Sequence, residues 1–136
     1  SDRRVPDPGV TSEAPSEPRD RALQALYQAD RTGDPGDLSE LPPKARRLVE
    51  GVLAEVEELD AAIASVSDHW SIERMPVVDR AILRLGLYEL RHVPSVPTAV
   101  VVNEAVRLAK TYSTQRSGVF VNGVLASLAE RERPGG

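Results

Sequence analysis

Apolar residues recur at helical rather than strand spacing along most of this chain. From Arg19 onward, Leu23, Leu26 and Tyr27 fall on one helical stripe that runs to about Asp30, where the turn-rich RTGDPGD interrupts it. Pro42 opens the next segment, in which Leu48, Val52, Val56, Leu59, Ile63, Val66 and Trp70 lie three or four residues apart. This is the seam of one helix, or of two with a break near Leu59-Asp60. Ser71 and Pro76 mark a further boundary, because proline fits the first turn of a helix and disrupts its interior.

The stretch PVVDRAILRLGLYELRHV carries one stripe through Val78, Ile82 and Leu85 and a second through Leu83, Leu87 and Leu90. Apolar side chains therefore cover much of the circumference, which predicts the central helix of a core. Gly86 in its middle costs about 1 kcal/mol against alanine, so a neighbouring helix is expected to pack closely there. Pro94 and Pro97 close the helix. The valines of PTAVVVNEAVRLAKTYS could open a strand, but Val101, Ala105, Leu108, Ala109 and Tyr112 keep helical spacing, and the segment reads as helix. After a loop over Ser113 to Ser117, Phe120, Val124, Leu125 and Leu128 form a last apolar face. The expectation is an all-α fold, a compact bundle of six to seven helices in two helical subdomains.

Composition narrows this further. Residues 1 to 18 hold four prolines and almost no large apolar side chain, so they read as a disordered proline-rich arm before an all-helical domain at 19 to 133. The absence of cysteine excludes disulfides, thiolate metal sites and thiol nucleophiles, and fits a cytoplasmic location. No apolar run approaches the ~20 residues of a membrane span, so no membrane partner is expected. A net charge of -4 argues against general nucleic-acid affinity, which comes from cations neutralising phosphates. Any RNA contact must be local, and arginine, which supplies all but two of the 17 basic residues, suits it by its forked geometry.

No catalytic constellation emerges. His69 and His92 lack the paired ligands of a metal site, and there is no phosphate-cradling glycine loop, dinucleotide fingerprint or nucleophile elbow. Glu57-Glu58 and Glu130-Glu132 read as solvated helical faces. The expectation is a binding protein and not an enzyme, with no cofactor and no metal. The candidate chemistry is a row on the central helix, Arg80, Arg84 and Arg91, which share one face and could hold phosphates or pair with neighbouring acids such as Glu73, Asp79 and Glu89. Tyr27 and Phe120 could stack on unpaired bases or belong to the core.

Taken in order, RALQALYQAD at 21–30, LVEGV at 48–52, RMPVVDRAILRLGLYEL at 74–90, VPTAVVVNEAVRLAK at 96–110 and FVNGVL at 120–125 resemble the NusB family of transcription antitermination factors. The resemblance implies a factor that binds the single-stranded boxA element of ribosomal RNA leader transcripts as a heterodimer with the ribosomal protein NusE, and so acts indirectly on RNA polymerase. A composite groove with such a partner would let an acidic chain hold RNA. The alternative is a protein-interaction module or homodimer of the same fold with weakened RNA binding. By the same resemblance Arg19, Tyr27, Arg84, Ser117 and Phe120 are candidates for RNA contact, to which the helix row adds Arg80, and Arg21 and Arg116 are added as basic residues where the chain departs from the family pattern. Tyr27, Glu73 and Asp79 are candidates for the partner surface, and Asn103, Glu104, Asn122 and Gly123 match positions read as architectural. Two departures stand out: Pro15, Glu17 and Pro18 occupy positions where relatives carry arginines, and Arg116 occupies one where an acid is common.

Overall fold

The structure is a computed structural model that describes residues 18–67 and 71–135. Residues 1–17, which make up nearly all of the expected arm, and His69 and Trp70 lie outside the described residues. Six α-helices stand among the described residues: α1 (Pro18–Thr32), α2 (Pro43–Ala54), α3 (Val56–Val66), α4 (Val77–His92), α5 (Thr98–Tyr112) and α6 (Gln115–Glu132). Single 3₁₀ turns over Leu38–Glu40 and Ile72–Arg74 lead into α2 and α4, and no strand occurs among these residues. Helix α4 touches all five others, α5 pairs most extensively with α6, α1 packs on α2, and α3 bridges α4 and α6.

Three of these helices begin behind a proline. Pro42, Pro76 and Pro97 hold extended backbone at the N-caps of α2, α4 and α5, and no side chain caps any of them. A proline has no N–H to leave unsatisfied and a φ already close to helical, so it marks the start without a capping hydrogen bond. By contrast, α6 starts on Thr114, whose hydroxyl accepts from the amide of Ser117 at 3.0 Å. That cap makes the turn between α5 and α6 shorter than expected, since Ser117 lies in the first turn of α6 and not in a loop. The break between α2 and α3 is also displaced. It falls at Glu55 and not at Leu59-Asp60, because Leu59 is fully buried and its helical stripe with Ile63 continues back to Val56.

The core agrees with the central position expected for α4. Ala81, Ile82, Leu83, Leu85, Leu87 and Leu90 are all buried, so the helix is covered nearly all round. Gly86 is the close approach to α6: a Cβ there would stand 2.8 Å from Leu125 Cδ1. A second close approach escaped the periodicity reading. A Cβ on Gly51 would meet the Tyr88 ring at 2.2 Å, so the glycine of LVEGV lets that ring approach α2 closely. Tyr88 in turn stacks obliquely on His92, with ring centroids 4.8 Å apart, and the His92 ring reaches Glu55 at 2.9 Å.

Candidate nucleic-acid and partner interface

The arginine row on α4 does share a face, but the structure does not leave it open. Arg80 pairs with Asp30 of α1 and donates to the carbonyl of Ile72 at 3.1 Å. Arg84 forms a forked pair with Asp60 of α3 at 2.7 and 2.8 Å, and Arg91 meets Glu132 of α6 at 3.0 Å. Their side chains are 15, 14 and 25% exposed. The acids come from three other helices and not from Glu73, Asp79 or Glu89, which sit nearby in sequence. Guanidinium–carboxylate pairs between helices tie those helices together, and the forked one of Arg84 leaves the least donor capacity for phosphate.

Arg19 has a similar fate. It donates to both oxygens of the buried Glu89 carboxylate at 2.9 and 2.8 Å and lies 3.9 Å from Glu104. Its neighbour Asp20, itself buried, accepts from Arg107 at 2.7 Å and from the Tyr112 hydroxyl at 2.9 Å. Asp20 hydrogen bonding is the main cause that holds the Arg107 guanidinium above its usual range. Burial, reinforced by Asp20, pushes the Tyr112 hydroxyl up to about 12. The start of α1 is thus clasped to α4 and α5 by two adjacent residues of opposite charge. Glu104 belongs to this clasp, as an architectural residue should. Asn103, Asn122 and Gly123 do not fit their architectural reading: all three are exposed, and a Cβ on Gly123 would meet nothing within 4 Å.

The remaining candidates converge at the other end of α4. Between its first turn and that of α6 lies an open cleft of about 610 Å³, whose wall includes Met75, Asp79, Arg116, Ser117, Val119 and Phe120. Arg116 is exposed with no ion-pair partner among the described residues, Val119 is 75% exposed, and Phe120 is half-buried. Asp79 is only 3% exposed. Its Oδ2 accepts from the Ser117 hydroxyl at 2.8 Å, and Ser117 is linked in turn to the hydroxyls of Ser113 and Thr114. Its Oδ1 is buried with no partner among the described residues. Asp79 therefore pins the start of α6 to α4 and does not project outward as a partner-facing acid would. Glu73, in the 3₁₀ turn before α4, is exposed.

Tyr27 is 36% exposed on α1, one turn before the Asp30 that receives Arg80, and Arg31 lies over its ring at 5.7 Å. Arg21 is half-buried and reaches the carbonyl of Glu40 at 3.4 Å. Sequence reasoning missed Lys44 and Arg47 on α2, both exposed and without an ion-pair partner among the described residues. The signal was there, in PPKARR at 42–47, the densest basic run within the helical region. No helix among the described residues is long and apolar enough to cross a membrane.

The NusB family matches residues 16–130 of the chain. The transcription antitermination protein NusB of Acidothermus cellulolyticus is 48% identical over 120 residues, covering 81% of this chain and 83% of that one. The NusB of Rubrobacter xylanophilus is 45% identical over 122 residues, covering 83 and 88%. Among solved structures, T. maritima NusB superposes with a TM-score of 0.77 at 33% identity, covering 86% of this chain and 91% of that one. A chain from the crystal structure of antitermination factors NusB and NusE in complex with dsRNA superposes with a TM-score of 0.73 at 33% identity, covering 84 and 94%.

Proposed function

The chain belongs to the NusB family, and on that premise we propose that it is a transcription antitermination factor that binds boxA-like RNA of ribosomal RNA leaders together with NusE. RNA polymerase carrying the assembly then reads through terminators. The protein acts in the cytoplasm by binding, and we assign it no catalytic step.

The cleft at the start of α4 and α6 carries this reading. It presents an exposed guanidinium and an aromatic side chain on a single wall, beside the linked pair of Asp79 and Ser117. NusE docks on the side of the exposed Glu73. The RNA strand passes over Arg116 and Phe120, the first neutralising a phosphate and the second stacking on a base, with Tyr27 available for a further base. Ser117, held by Asp79, sets the position of both neighbours. Arg19, Arg80 and Arg84 build the scaffold, and Arg21 lines the approach from α1.

A titration of labelled boxA RNA with the full chain, with and without NusE, at two salt concentrations tests the proposal. The expected result is retention that needs NusE and weakens as salt rises. No retained RNA in the presence of NusE contradicts it. The second reading, a protein-interaction or homodimeric module with weakened RNA binding, would then be preferred, and the paired state of the α4 arginines is the observation that favours it.

A further inference from the structure

Lys44 and Arg47 lie on a second cleft, at the opposite end of α4 from the first. It measures about 320 Å³ and is enclosed by the start of α1, the first turns of α2 and the last turn of α4. Asp79 and His92 are thirteen residues apart on α4, which separates the two clefts by about 20 Å at a helical rise of 1.5 Å per residue.

Two features give this cleft a net pull on anions, and a third suits a nucleoside. Lys44 and Arg47 are exposed and unpaired among the described residues, whereas the carboxylate of the wall, Glu89, is already occupied by the fork of Arg19. The start of α2 has no capping side chain and no acid in its first turn, so its positive end is uncompensated where Lys44 enters the wall. The remaining wall is apolar, with Leu48, Val93 and Val96 beside the tilted ring pair of Tyr88 and His92, the latter held by Glu55 at 2.9 Å. Unpaired cations beside aromatic rings are what a single strand meets in proteins that follow its backbone and stack its bases, and an inorganic anion has no use for the rings.

We propose that this cleft holds a backbone phosphate of the bound RNA strand, gripped by Lys44 and Arg47, with the Tyr88–His92 rings against the adjoining nucleoside. The proposal rests on the antitermination reading above. It extends the RNA path along α4 and places basic contacts on α2.

Two measurements on the full chain test it. In the first, inorganic phosphate is titrated while the NMR signals of Lys44, Arg47 and His92 are followed. Saturable shifts that vanish in the Lys44→Ala/Arg47→Ala variant are expected, and their absence overturns the proposal. In the second, RNA is titrated in the presence of NusE over a range of salt. Either single variant, Lys44→Ala or Arg47→Ala, should bind about three- to tenfold more weakly with a flatter salt dependence, by about 0.7 in slope for one lost phosphate on a single strand. The exposed Lys110→Ala on α5 serves as the control for net charge and should leave the slope as it was. Phosphate shifts with RNA binding indistinguishable from that control would mean a site for small anions only, and would overturn the assignment to RNA. If the unaltered chain holds no RNA with NusE, the antitermination reading itself fails. Normal RNA binding by indifferent variants defeats this proposal alone.

Discussion

Two sets of cations on this molecule look alike in sequence and differ in what surrounds them. Arg19, Arg80, Arg84 and Arg91 each meet a carboxylate from another helix, so they act as ties between elements. Arg116, Lys44 and Arg47 are exposed without such a partner among the described residues, at the mouths of two clefts. A guanidinium already forked onto a carboxylate gives up that pair before it can take a phosphate, whereas an unpaired one gives up only water. On the function proposed above, the cations left over after internal pairing carry the RNA, and they need not be the most regularly spaced ones.

That contrast can be broken from the tied side. Glu89→Ala leaves the largely buried Arg19 without its fork, and we expect a loss of about 3 kcal/mol of stability, measured by urea unfolding followed by circular dichroism. Asp60→Ala releases Arg84, whose pair is partly exposed and therefore worth about 1 kcal/mol. If pairing is what silences Arg84, the variant should gain RNA affinity as it loses stability, and an RNA titration with NusE reads the gain. The smallest effect concerns Tyr112. Its folded-state pKa is raised from an ordinary value of 10.0 to about 12, so its contribution is fully present below pH 10 and is lost as pH rises through 12. Unfolding midpoints should fall across that window, and Tyr112→Phe should flatten the fall while removing one hydrogen bond to Asp20.

Much of the fold was legible because the helices are amphipathic and their ends carry proline. The central burial of α4 and the tight contact at Gly86 followed from two apolar stripes and one glycine in a helix interior. The α2–α3 break was misplaced because the apolar seam runs through it unchanged, and a shared seam does not reveal where the backbone turns. The site was harder to read. Helical spacing puts Arg80, Arg84 and Arg91 on one face, but says nothing about Asp30, Asp60 and Glu132, which tertiary packing brings from 24 to 50 positions along the chain. The acids close in sequence, Glu73, Asp79 and Glu89, were natural suspects and none of them is the partner. Asp79 shows the same limit, since its burial under Ser117 depends on how α6 docks, which no local pattern records. Lys44 and Arg47 were visible as a basic run but lay outside every motif that drew attention.

The salt dependence of boxA RNA binding, measured with NusE for Arg116→Ala and Arg84→Ala side by side, tests most directly whether unpaired cations carry the RNA. Arg116→Ala should weaken binding and flatten the dependence by about 0.7 in slope, while Arg84→Ala should keep the slope of the unaltered chain. A flattened slope for Arg84→Ala together with an unchanged one for Arg116→Ala would contradict the account.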